Sequence, residues 1–391
     1  MISVFDKKED CCGCTACKNI CPTNAIVMVS DQEGFLYPYI NQELCIDCGK
    51  CRKVCPFQNI INVDDKLDES LIYAIKHKNL ETRMESTSGG VYTAISNYTL
   101  DKSGTVYGAK FDDNFHVVHS RAVNLKERNE FRGSKYVQSD LKDVFDQIQH
   151  ELRTGQNVLF TGTGCQVAGL RKFITDTRTN IDRLVTNDIV CHGTPSPLLW
   201  DDYLKFIQKN NILKSYTFRH KEKGWHGYNV KAEYENGKCK INTTELKGYA
   251  NLFSSNLTLR PSCYNCKFAN LDRTSDIMMG DFWGIEKTMP ELDDDKGISL
   301  VLINTHKGKI IFDEIKENLE VWECNIQDCL QPNLIKPTKR PEKREQFWQE
   351  YYDNGFKHIA KKYGGYNLKS IVKKNIKALL KSIGLLKYVK R

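Results

Sequence analysis

Two cysteine runs constrain this chain more than anything else in it: "CCGCTACKNICP", Cys11 to Pro22, and "CIDCGKCRKVCP", Cys45 to Pro56. Each spells C-x2-C-x2-C-x3-C-P, taking Cys11, Cys14, Cys17, Cys21 and then Cys45, Cys48, Cys51, Cys55. Three thiolates at three-residue steps in a tight loop grip three corners of one iron–sulfur cubane, while the fourth, displaced and followed by proline, points elsewhere. Tetrahedral zinc also favours C-x2-C spacing, but it needs only four ligands per site and gives no reason for a third close thiolate plus Cys-Pro.

In bacterial two-cluster ferredoxins the fourth cysteine of each run ligates the other cluster. Carried over, one 4Fe-4S cluster takes Cys11, Cys14, Cys17 and Cys55, and a second takes Cys45, Cys48, Cys51 and Cys21. Cys12 breaks the rhythm and reads as a spectator thiol. The intervening "GFLYPYINQELC" suits a short hairpin linking the two halves.

The other cysteines, out of 16 in 391 residues, do not point to disulfides. "MISVFDKKEDCC" shows no basic leader with an apolar segment behind it, so a reducing, cytoplasmic setting is expected. No apolar run approaches the roughly 20 residues that cross a bilayer. The net charge of +8 is unevenly placed: residues 336–391 hold 16 of the 57 basic and 4 of the 49 acidic side chains, so the rest of the chain is slightly acidic. In "YNLKSIVKKNIKALLKSIGLLKYVKR" the basic residues alternate with Val372, Ile376, Leu379, Leu380 and Ile383. That pattern suits a helix lying on an anionic membrane surface or docking on protein. It lacks the interleaved aromatics of a nucleic-acid binder, so no nucleic-acid partner is expected.

After Pro56, "FQNIINVDDKLDES" reads as a linker, and "LIYAIKH" as a strand. "STSGG" leads into a helix from Val91 to Leu100, and "TVYGAKFDDNFHVVHSRAV" into a hairpin around Asp112 to Asn114. From Leu141 helix and strand alternate, which predicts parallel βαβ units; antiparallel strands with an Asn236-Gly237 turn follow. A last strand–helix unit, "ISLVLINTHKGKIIFDEIKEN", precedes the basic segment.

Several loops carry chemistry. Gly162, Thr163 and Gly164 form a strand-to-helix turn, although Val167 stands where a dinucleotide fingerprint needs glycine. The turn is either a phosphate cradle or a plain tight turn. Cys165 lies in it, Cys191 ends the next strand, and Cys263 and Cys266 form an isolated C-x2-C. Neighbouring parallel strands bring Cys165 and Cys191 to one crevice, so these four either hold a third metal centre or include small buried hydrophobes. Ser88, Gly89 and Gly90 make an anion cradle or an ordinary helix cap. Lys135 can pair with a phosphate or a flavin edge, and His192 beside Cys191 can supply a proton.

Together, "STSGG", "GSKYVQS", "GTGCQVAGL", "CHGTPSP", "RPSCYNCKF" and "SDIMMGDFWGI" resemble the coenzyme F420 hydrogenase/dehydrogenase beta subunit family, over nearly the whole chain to about residue 355. The resemblance implies FAD bound in the body beside a 4Fe-4S cluster, and hydride exchange with a deazaflavin or other small organic acceptor. It places that cluster on Cys165, Cys191, Cys263 and Cys266. It places the flavin phosphates near Ser88, Gly89 and Gly90, with Lys135 and Gly162, Thr163 and Gly164 beside them. Gly164 stands where similar sequences usually show proline. Bacterial members often occur with polysaccharide-biosynthesis genes.

The expected fold is α/β, α+β overall: a two-cluster ferredoxin domain at residues 1–62, a mixed-sheet flavin and iron–sulfur body at 70–335, and a basic helical tail at 336–391. The expected function is an iron–sulfur flavoprotein oxidoreductase with Lys135 and His192 as catalytic residues. Electrons would pass to a small acceptor or a redox partner protein. The alternative is an electron-input subunit that only relays electrons to a partner enzyme.

Overall fold

The computed structural model describes residues 3–59, 61–209 and 211–366. The first module is built on a hairpin, β1 (Ile26–Ser30) against β2 (Leu36–Ile40), with short helices Ala16–Asn19 and Lys50–Lys53 carrying the middle cysteines. Each helix is entered through a left-handed residue, Thr15 at φ 64° and Gly49 at φ 69°, and Gly13 and Asp47, two positions earlier, are left-handed as well. The two runs thus repeat one backbone path that fans successive thiols to one side. A β-branched threonine rarely tolerates this conformation, so the turn around Thr15 is imposed by its surroundings.

The body is an eight-stranded mixed sheet. Its strands are β3 (Lys66–His77), β4 (Thr105–Phe111), β5 (Val117–Ala122), β6 (Val158–Thr163), β7 (Leu184–Ile189), β11 (Ile277–Asp281), β12 (Ser299–Thr305) and β13 (Leu319–Glu323), in the order β13-β3-β12-β11-β7-β6-β4-β5. The centre, β4-β6-β7-β11, is parallel, as helix–strand alternation predicts; antiparallel strands flank it. β3 begins at Lys66 rather than Leu71, so the second half of the expected linker is strand, drawn in by pairing with β12. A small sheet, β8 (Leu213–Thr217), β9 (Lys231–Tyr234) and β10 (Cys239–Ile241), lies apart from the large one, with Gly237 in its hairpin turn.

The helices follow their apolar periodicity and caps. Helix Val144–Arg153 buries Val144, Phe145, Ile148 and Leu152 on one stripe. Helix Gly164–Asp176 starts with a capping box between Thr163 and Gln166. Helix Pro197–Gln208 is capped by the Ser196 hydroxyl, which accepts from the Leu199 amide, with proline in its first turn.

Module and body share one core. Ala16, Cys17, Val54 and Phe57 belong to the same buried cluster as Phe145, Phe160, Leu170 and Phe173. The helical part of residues 336–366 also belongs to the body: in Arg344–Lys362, Phe347, Trp348, Phe356 and Ile359 enter the aromatic core around Trp200, Tyr203 and Tyr249. The amphipathic pattern from Val372 to Ile383 lies outside the described residues. Among those described, no helix is long and apolar enough to cross a membrane.

Candidate metal centres

The twelve candidate cysteines close three cavities. Cys11, Cys14, Cys17 and Cys55 line one, with Met28 and Pro38 of the hairpin. Cys21, Cys45, Cys48 and Cys51 line a second, with Ile26 and Ile40. The Cys-Pro thiol of each run therefore lines the other run's cavity. Paired positions on one face of the hairpin serve both rings, since Met28 pairs Pro38 and Ile26 pairs Ile40.

Cys165, Cys191, Cys263 and Cys266 line a third cavity. Cys165 comes from the turn after β6 and Cys191 from just beyond β7, whose parallel pairing aligns Thr163 with Ile189. The 3-10 turn Pro261–Asn265 and the residues after it bring the C-x2-C pair up from the other side. Among the described residues no three His, Cys, Asp or Glu side chains crowd closely enough to hold one ion. Zinc held at about 2.3 Å by sulfur needs thiolates within about 4 Å of one another; rings around a cubane stand wider.

Amides and hydroxyls already point at ring sulfurs. Ala25 N donates to Cys21 Sγ at 3.3 Å, Thr194 N to Cys263 Sγ at 3.4 Å and Phe268 N to Cys266 Sγ at 3.4 Å. The Thr163 hydroxyl lies 3.2 Å from Cys165 Sγ. Such bonds stabilise thiolate charge and tune a bound cluster. Burial pushes Cys55 and Cys266 up to about 12, and raises Cys17 and Cys191 well above the ordinary thiol range. Loading metal at these rings therefore releases protons.

Cys12 is no isolated thiol. It lines both the first and the third cavity, and its closeness to Cys14 and Cys165 lowers those two thiols and raises Cys12 itself. The sequence rhythm hides this, because the contact with Cys165 exists only once the module docks. Arg260, also missed, reaches both rings; its only signal is the "RPSC" that precedes Cys263.

The loop residues divide. Thr163 and Gly164 stand on the wall of the third cavity, so the glycine turn faces the cysteine ring. The Ser88 hydroxyl donates to Ile298 O at 2.7 Å, the Gly89 amide donates to Ser299 Oγ at 2.9 Å, and a Cβ on Gly89 would lie 2.1 Å from Ile75 O. Gly90, at φ 96°, caps helix Val91–Asp101. The Ser134 amide donates to Thr87 Oγ1 at 2.8 Å and so joins the "STSGG" and "GSKY" loops. At that junction Tyr92 Oη and Arg132 Nε are buried without a partner, and the Arg132 charge bears on Tyr92.

Lys135 donates to Glu130 O at 2.7 Å and Arg132 O at 3.0 Å, and burial lowers it to about 7. His192 lies on the third cavity wall, its Nε2 2.5 Å from Asn256 Oδ1 and its Nδ1 3.2 Å from Asn333 Oδ1.

Residues 155–328 match the family described as the C terminus of the coenzyme F420 hydrogenase/dehydrogenase beta subunit. Residues 10–59 match the 4Fe-4S dicluster domain. No curated protein matches the chain. Among solved structures it is similar to a chain of the F420-reducing NiFe hydrogenase complex from Methanosarcina barkeri, at 18% identity and a TM-score of 0.46, over 77% of this chain and 95% of that one. Cysteine runs, paired rings and family matches agree: this is an iron–sulfur protein with a 4Fe-4S dicluster domain over residues 10–59 and, over residues 155–328, a region similar to the C terminus of the coenzyme F420 hydrogenase/dehydrogenase beta subunit.

Proposed function

We propose that the chain is an iron–sulfur flavoprotein oxidoreductase with a 4Fe-4S cluster in each of the three cysteine rings and FAD at the junction of the 86–92 and 132–136 loops. It exchanges electrons with a deazaflavin or another small organic acceptor. The observation that carries this reading is the sharing of Cys12 between the walls of the first and third cavities. The Cys48 ring is the exposed end of the series. When bound, the clusters supply one-electron transfer and the flavin converts it to two-electron chemistry.

The chain's own residues divide the work. Ring thiols hold the metal, and Phe57, Phe268 and Arg273 close the third cavity against water. Tyr92 Oη and Arg132 Nε, buried polar atoms that lack protein partners, are the groups that would hold the flavin at the junction, with the Lys135 ammonium 3.0 Å from Arg132 O. Ser88 and Gly89 shape that loop through bonds made inside the protein, which leaves Gly90 and Lys135 to serve the phosphate side. Thr163 and Gly164 serve the third ring.

A second reading, an electron-input subunit without its own substrate, is favoured by one observation: both ring nitrogens of His192 and the Lys135 ammonium are engaged by protein groups. Anaerobic purification with iron and flavin quantitation tests the main reading. It expects about twelve irons, at four per cubane, one FAD per chain, and reduction of a deazaflavin by the dithionite-reduced protein. About eight irons removes the third centre. Full cofactor content with no turnover of deazaflavin or quinone favours the second reading.

A further inference from the structure

We infer that Arg260 is the shared counter-charge of the first and third cysteine rings and sets the reduction potential of the centre that Cys11 holds. The inference rests on the metal reading proposed above.

Arg260 is 1% exposed. Its Nε donates to Cys11 O at 2.7 Å, Nη1 to Gln138 Oε1 at 2.9 Å, and Nη2 to Leu36 O at 2.9 Å and toward Cys11 Sγ at 3.6 Å. Its guanidinium lies 4.1 Å from the centre of the Tyr37 ring and 5.5 Å from that of Phe35. Most other buried arginines have carboxylates: Arg171 has Asp276, Arg219 has Asp281, Arg273 has Asp188 and Arg344 has Glu33; Arg128 is held by Thr93 O, Ser96 Oγ and Asn97 Oδ1 of helix Val91–Asp101, which lines none of the three rings. Among the described residues no carboxylate pairs with Arg260, and a cation buried without a counter-ion is expensive. The sulfur of Cys11 is the anionic group within its reach.

Four thiolates outweigh the positive charge of an iron–sulfur core, so a loaded ring is anionic and becomes more so when reduced. Arg260 touches the first ring through Cys11 and stands on the wall of the third cavity. A fixed cation there favours the reduced state of both centres, most at the nearer one.

The test is an anaerobic redox titration, followed by electron paramagnetic resonance, of the native chain, Arg260→Gln, Arg260→Lys and Gln138→Glu. Gln138→Glu keeps the guanidinium and places a carboxylate on Nη1. Both Arg260→Gln and Gln138→Glu are expected to lower the reduced-to-oxidised ratio of the first centre at least tenfold at fixed solution potential, a shift of about 59 mV for one electron. Arg260→Lys recovers most of it. If Arg260→Gln loses iron, Gln138→Glu decides. Full iron with an unchanged midpoint in Gln138→Glu and in any iron-loaded Arg260→Gln overturns the inference. A native chain that purifies without iron or visible absorption overturns the metal reading itself, before any variant is compared.

Discussion

Cys21 and Cys55 sit at the ends of their own runs yet face the opposite run's cavity. Iron loss should therefore follow the ring and not the run. Cys55→Ser is expected to remove the centre of Cys11, Cys14 and Cys17, about four irons, and to leave that of Cys45, Cys48 and Cys51; Cys21→Ser does the reverse. Iron quantitation with the two resonance signals reads the difference. Cys12→Ala leaves the iron count unchanged, since both rings that it borders are already complete. His119 gives a pH prediction: its Nε2 lies 3.0 Å from Thr161 O, it is 4% exposed, and burial lowers it from 6.5 to about 4. Between those pH values the unfolded chain takes up a proton that the folded chain refuses, so stability is lost as pH falls. The loss attributable to this group is about 3 kcal/mol. His119→Gln is expected to flatten the stability profile across that window by about this amount, as read by denaturant melts.

At the scale of elements, helix Gly164–Asp176 approaches the first ring so closely that a Cβ on Gly169 would lie 2.7 Å from Cys14 Sγ. Gly169→Ala forces helix and ring apart. It should cost about 1–3 kcal/mol, the usual range for overpacking, and loosen the first centre before the second, measured by melting temperature and by chelator-driven iron release. This contact shows where sequence reasoning runs out. Ring membership in the module is legible because cubane ligands recur at short, local spacing, and the parallel centre of the sheet is legible in the alternation of apolar strands with capped helices. The approach of Gly169 to Cys14, the bridge by Cys12 and the reach of Arg260 are long-range consequences of docking, and no local pattern records them. For the same reason the sequence shows only the second half of β3, because Lys66, Asp68, Glu69 and Ser70 are polar and the stretch becomes strand only by pairing with β12. The phosphate reading of "STSGG" meets a similar obstacle: glycines there admit the β3 and β12 backbones as well as they would admit a ligand.

For the molecule as a whole, the shared core makes the cysteine module part of the body. Glu33 of its hairpin turn pairs with both terminal nitrogens of Arg344, which is 3% exposed, and the Lys18 ammonium meets Asp143 at 2.7 Å. Glu33→Gln strands the buried Arg344 charge and is expected to cost about 3 kcal/mol, a drop in melting temperature that Lys18→Met, at a half-exposed pair, will not reproduce. Expressed without residues 1–59, the body bares the part of the shared core that the module covers, around Gly169 and Phe268, and should elute from size exclusion as aggregate rather than monomer.

The fused core also governs kinetics. Proteins that carry a ferredoxin domain on a tether wait for it to swing, and solvent friction slows that search. Here Phe57 is wedged against Phe268, 5.7 Å between ring centres, so the spacing between the module's cysteine rings and the third ring is set at folding. Glycerol will slow encounter with a donor in solution, and passage inside the chain will run at the same speed in syrup as in water.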